Sequence, residues 1–152
     1  MDLKNLYREI VNEHNLHPTH KQEIPHPDIT LRGVNPSCGD DITLSLSVDA
    51  EGVITDGGFT GAGCAISQAS VDMMLDQIIG RKREDALRLA GGFMRMIHGE
   101  GLTEEELEEL DEAAALQDIA HMPARAKCAV LGWRTLRQAL GEDGEDRTPE
   151  QA

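Results

Sequence analysis

At 152 residues, with 39% hydrophobic and 28% charged, the chain fits one globular domain with a sizeable core. Aromatics make up only 3%, so that core must be aliphatic, with six Met to fill irregular gaps. A formal net charge of −14 argues against nucleic acid and anionic membranes as partners, no apolar run approaches the roughly 20 residues of a membrane span, and the Met1-Asp2-Leu3-Lys4 start lacks the apolar stretch of a signal peptide, so the expected location is the cytoplasm.

Leu3, Leu6, Tyr7, Ile10 and Val11 recur at helical spacing and predict a short amphipathic helix over residues 2–13. Residues 14–28 hold Pro18, Pro25 and Pro27 and read as an extended connector. The same stretch holds His14, His17, His20 and His26. A metal site there is disfavoured, because the prolines block helical pairing and no Cys or acidic cluster adjoins in sequence. The expectation is a solvated, Pro-stiffened linker. Residues 29–34 predict a strand before the loop. Residues 42–48 predict a clearer one, with Ile42, Leu44, Leu46 and Val48 alternating with Thr43, Ser45 and Ser47. A hairpin turn over residues 49–52 returns the chain into a third strand over 53–60. One polar sheet face implies an antiparallel sheet covered by helices on the other side.

From Cys64 the period becomes helical. Ile66, Ala69, Met73 and Ile78 line one stripe that ends at Gly80, and Ala86, Leu89, Phe93 and Ile97 line the next. Thr103 and Glu106 form a capping box that opens an acidic helix. No Lys or Arg lies between Arg95 and Arg125. The acidic segment, residues 100–118, is a solvated face packed by Leu102, Leu107, Leu110 and Leu116, or else a partner-docking rim. Pro123 suits the first turn of a final helix whose stripe is Ala129, Trp133, Leu136 and Leu140. Strands first and helices after predict an α+β fold, a small antiparallel sheet of about three strands against four to five helices. Residues 1–140 form the single domain, and residues 141–152 an acidic, disordered tail.

Three widely spaced Cys do not suit a disulfide framework in a reducing compartment. Each has a distinct setting. Cys38 sits in the loop Asn35-Pro36-Ser37-Cys38-Gly39-Asp40, two residues from Asp40, so a turn can aim both side chains at one point. Cys64 follows Gly61-Ala62-Gly63 at a helix start, where free N–H groups favour a thiolate. Cys128 falls within two turns of Pro123. Three thiolates and a carboxylate suit four-coordinate Zn²⁺, and Arg125 and Lys127 would offset the excess negative charge. Without a CxxC pair, three unrelated buried Cys fit the spacing equally well. Ser67 and Ser70 lack a triad context and read as helix-face residues.

The segments NPSCGDD, GAGCAISQAS and MPARAKCAVLGW resemble the U-type (IscU, SufU and NifU N-terminal) iron–sulfur cluster assembly scaffold family, over roughly residues 1–140. The resemblance implies that Cys38, Asp40, Cys64 and Cys128 converge on one metal. In the IscU branch a His precedes the last Cys; here that position is Lys127. That difference, and the acidic segment at the site of a SufU insertion, imply the SufU branch. Resemblance to that branch implies bound zinc and a sulfurtransferase role with a SufS-type cysteine desulfurase as partner. A desulfurase His would displace Cys38 from the metal. Cys38 would accept persulfide sulfur, and Arg125 would pair with Asp40 in support. Sulfur would pass to a SufBCD-type scaffold or to apo iron–sulfur proteins. The alternatives are a passive scaffold, with Cys38, Cys64 and Cys128 holding a transient 2Fe–2S cluster, and a structural zinc module.

Overall fold

The structure is a computed structural model and describes residues 3–141 apart from Cys38. The element order is α1 (Leu3–Leu16), β1 (Ile29–Asn35), β2 (Asp40–Val48), β3 (Ile54–Ala62), α2 (Ala65–Ile78), α3 (Arg83–Ile97), α4 (Glu104–Leu110), a 3-10 segment (Asp111–His121) and α5 (Pro123–Ala139). This is the α+β architecture that the hydrophobic periods predict, with one three-stranded antiparallel meander, β1-β2-β3, and five α-helices among the described residues. The expected tail lies, beyond Gly141, outside the described residues.

The alternation in β2 does what the pattern requires. Ile42, Leu44 and Leu46 are fully buried beneath the helices, and Thr43, Ser45 and Ser47 point to the other face. Each buried aliphatic contributes roughly 1.5–3 kcal/mol relative to an exposed one. Helix α5 runs through the centre and packs against α2, α3 and β1. Its Trp133 stacks on Phe93 of α3 at 4.4 Å between ring centroids and 8° between planes.

Helix α2 departs from the single-stripe expectation. Ser67 to Leu75 are buried without a break, because α1, α5 and the sheet enclose the helix from several sides. Ser70, a polar residue in that run, has partners on both sides. Its Oγ donates to Ala129 O at 2.7 Å and accepts from Trp133 Nε1 at 3.1 Å.

Two further boundaries differ from the sequence reading. Helix α1 runs on through His14 to Leu16 and stops two residues before Pro18, since the residue preceding a proline disfavours the helical conformation. The connector after it is not solvated along its length. Phe59 N donates to His20 O at 3.0 Å, Asp28 N donates to Leu46 O at 2.8 Å, and Ile24 is 8% exposed. It docks by its backbone on the sheet, so its hydrogen bonds leave no side-chain period to read. The acidic segment splits at Asp111, a non-glycine residue at φ +50°. Arg88 pairs with Glu109 at 2.7 Å, and Arg95 with Glu106, tying α4 to α3.

Candidate metal centre

Each candidate side chain is placed by the end of a secondary-structure element. Asn35 and Asp40 pair across β1 and β2, leaving residues 36–39 as a four-residue hairpin loop. The loop is held by Gly39 N donating to Asn35 O at 2.9 Å and Ser37 N to Asn35 Oδ1 at 3.2 Å. Gly39 takes φ +74°, a value that side-chain-bearing residues rarely adopt. Cys38 belongs to this loop by sequence and lies outside the described residues.

Asp40 opens β2 and is fully buried, with Oδ1 accepting from Cys64 N at 2.9 Å. That bond joins the start of β2 to the start of α2. It requires close backbone approach at Gly63, where a Cβ would come within 2.6 Å of Asp40 Oδ1. Cys64 is the N-cap of α2, and its Sγ accepts from Ser67 N at 3.4 Å. Its thiol sits on the surface, whereas Cys128, in the second turn of α5, is buried with Sγ 3.5 Å from Ala124 O. Ligand atoms of Asp40, Cys64 and Cys128 all lie within 4.8 Å of one another. Three elements far apart in sequence therefore present two sulfurs and a carboxylate at one edge of the sheet. Two sulfurs and a carboxylate in one cluster fit a soft-to-borderline ion such as Zn²⁺ or iron.

The surroundings are basic and apolar in turn. Arg125 lies exposed with Nη1 3.7 Å from Met122 Sδ and its guanidinium beside the Tyr7 phenol. Burial pushes the Tyr7 hydroxyl above its ordinary pKa, against the pull of Arg125, and the nearby Cys64 adds to the rise. In the sequence Tyr7 is one more apolar position of α1, and nothing there marks it as a neighbour of the site. With Arg8, Asp118 and Ile119 these residues line a cleft of about 350 Å³ beside the start of α5. A second cleft, of about 260 Å³, lies between the 36–39 loop and α5, lined by Asn35, Ser37, Lys127 and Arg134. Burial, with Arg137 nearby, lowers the Arg134 pKa from its ordinary value.

Comparison with known proteins agrees with the fold and the order of these elements. The family model described as NifU-like N terminal domain matches residues 6–145. A Thermotoga maritima protein named iron–sulfur cluster assembly scaffold protein IscU is 37% identical over 140 residues, covering 92% of this chain and 96% of its own. A Bacillus subtilis protein named zinc-dependent sulfurtransferase SufU is 34% identical over 142 residues, covering 93% and 94%. A crystal structure from Fervidobacterium islandicum, of a putative iron–sulfur cluster assembly scaffold protein for the SUF system, superposes with a TM-score of 0.78. It is 33% identical and covers 90% of this chain and 97% of that one.

Proposed function

The chain belongs to the NifU-like N-terminal domain family, and from that premise we propose that it serves cytoplasmic iron–sulfur cluster assembly as a zinc-dependent sulfur acceptor working with a SufS-type cysteine desulfurase. The observation that carries this reading is the gathering of Asp40, Cys64 and Cys128 within 4.8 Å at the edge where the Cys38 loop joins β2. We assign Cys38, Asp40, Cys64 and Cys128 as the metal ligands. Zinc, when bound, keeps thiols deprotonated at neutral pH and shields them from oxidation.

Three of the four positions are held by the ends of secondary-structure elements. Asp40 is fixed by the Cys64 amide, Cys64 by the start of α2 and Cys128 by the second turn of α5. Cys38 belongs to a short loop, and loops move more readily than helix starts. Cys38 is therefore the thiolate assigned to attack the outer sulfur of the desulfurase persulfide. A new S–S bond forms on Cys38, the old S–S bond breaks, and the desulfurase thiolate leaves with the electron pair. Arg125, exposed in the cleft lined by Tyr7 and Met122, is assigned a supporting role, since Tyr7 feels both its guanidinium and Cys64. Its side chain lies toward Tyr7 and Met122, and a pairing with Asp40 during transfer requires it to swing across. A SufBCD-type scaffold or apo iron–sulfur proteins would receive the sulfur.

The scaffold named among the relatives, at 37% identity, favours a second reading. There Cys38, Cys64 and Cys128 hold a 2Fe–2S cluster as cargo. Lys127, where the IscU branch has a His, removes one cluster ligand and favours the zinc reading. Anaerobic purification with elemental analysis separates the two. Close to one zinc per chain is expected, and stoichiometric iron with a visible absorption band would replace the first reading by the second. A SufS-type desulfurase should turn over cysteine faster with this protein present, and Cys38→Ala should abolish the stimulation. Equal rates with both proteins would remove Cys38 from the acceptor role.

A further inference from the structure

The extension of α1 through His14 brings together groups that the sequence keeps far apart. His14 is 7% exposed. Its Nδ1 lies 2.7 Å from Oδ2 of Asp72, a fully buried residue of α2. Asp72 also accepts backbone N–H bonds from Thr19 at 3.2 Å and His20 at 2.8 Å. A carboxylate that already accepts two donors holds the proton of the imidazole on Nδ1 and turns Nε2 outward. This is the outer-shell arrangement that orients metal-binding histidines.

Nε2 meets Oε1 of Glu112 at 2.7 Å, from the 3-10 segment just past the Asp111 break. Asp76, one turn beyond Asp72 on α2, completes a set in which ligand atoms of His14, Asp76 and Glu112 lie within 4.8 Å of one another. His20 Nε2 is 2.8 Å from Asp76 Oδ1 on the outer side. Three carboxylates thus face two imidazoles, so even two imidazolium ions leave the cluster one negative charge in excess. The 2.7 Å between Nε2 and the Glu112 carboxylate is spanned by a proton when the ring is an imidazolium, and the excess of carboxylates lets a metal ion take that proton's place.

The geometry points to a second metal site, made by His14 Nε2, Glu112 and Asp76 with His20 at its rim, that takes a first-row divalent cation such as Zn²⁺ or Fe²⁺. The imidazole and carboxylate donors suit these ions and contain no thiolate, unlike the cluster at the sheet edge. Ligands on one such ion stand about 3.3–3.6 Å apart, so Glu112 must withdraw by under about 1 Å and the exposed Asp76, which lies within 4.8 Å of the other two, must close to that range. Its side chain is 47% exposed and has room to do so. His14 and Asp72 would not need to move. The site does not depend on the sulfur-acceptor reading, since it shares no residue with Cys38, Asp40, Cys64 and Cys128.

The test is calorimetric titration of Zn²⁺ at pH 7 into protein already carrying one equivalent. A second equivalent is expected for the wild type. It should weaken at least tenfold in Glu112→Gln and in Asp76→Asn, surface changes that leave the buried His14–Asp72 pair in place. Cys64→Ser should keep this equivalent while losing the other, so failure of the thiolate centre and failure of this site have different signatures. A wild type that binds no second equivalent, or a second equivalent untouched by the Glu112→Gln/Asp76→Asn double variant, would overturn the proposal. The cluster would then be an imidazolium held between carboxylates.

Discussion

Ser70 stands between the indole N–H of Trp133 and the backbone carbonyl of Ala129, and it is fully buried. Removing its hydroxyl leaves the indole donor without its partner in a site closed to water. Ser70→Ala should therefore destabilise the fold by about 1–3 kcal/mol, read by urea unfolding followed through the fluorescence of the one Trp in the chain. A loss below a few tenths would mean that water reaches the indole. Nothing in the sequence marks Ser70 for this role, because a Ser on a helix reads the same whether its hydroxyl faces solvent or a buried indole. Asp72 and Gln68 are equally illegible, being polar residues buried on a helix that several elements enclose. Asp40 is legible only through its closeness to Cys38. Its bond to the Cys64 amide is a tertiary contact across 24 positions that no local pattern encodes.

At the scale of elements, the acidic helix is held by charge as well as by its leucines. Its capping box is legible from Thr103 and Glu106 alone and is present with both bonds, 3.2 Å and 3.0 Å. The break at Asp111 is not legible, because nothing in the residue type demands φ +50° there. Backbone and side-chain bonds from Thr103, together with Arg95, hold Glu106 below its ordinary pKa, and Arg88 does the same for Glu109. A carboxylate whose folded pKa lies below its unfolded value lends stability above the unfolded value, and that stability is lost as pH falls through the folded one. The contribution of these pairs should be complete above an ordinary value near 4.5 and fade below it. Urea midpoints of wild type and Glu106→Gln/Glu109→Gln should differ most near neutral pH and converge toward about pH 3, an end point set by the carboxylate range. High salt should shrink the difference, as both pairs are open to solvent. A gap that persists at low pH would assign the effect to packing. The paired Glu106 and Glu109 are also the acids of α4 least available to a docking partner, which leaves Glu104, Glu105 and Glu108 as the exposed rim.

Across the whole molecule, the order of strands and helices comes from two hydrophobic periods, and that is why the fold is readable. The meeting of β2, α2 and α5 at one edge is not readable from period, since a period says which face is buried and not which ends coincide. The three motifs supply that convergence by resemblance. If the elements share a metal, binding it stabilises all of them together. Saturation at 100 times the dissociation constant is worth about 2.7 kcal/mol, or roughly 5–11 °C for a chain of this size. A strong chelator should lower the melting temperature by that order. Cys64→Ser should reproduce the drop without added chelator, and the reason is specific. A Ser hydroxyl can still cap α2 through the Ser67 amide, so the loss reports on the metal and not on the helix end. Zinc release without a thermal shift would mean that the centre is not shared.

Helix α5 supplies the middle of the core from the last stretch of the domain, where it packs on α2, α3 and β1. A chain leaving the ribosome N-terminus first exposes the meander and α2 long before Trp133 can reach Phe93. Asp40 and Cys64 have then emerged, while Cys128 is still to come. If Asp40, Cys64 and Cys128 share a metal, nascent protein should thus be unable to close the centre until α5 has emerged, and metal capture waits on the last helix of the domain.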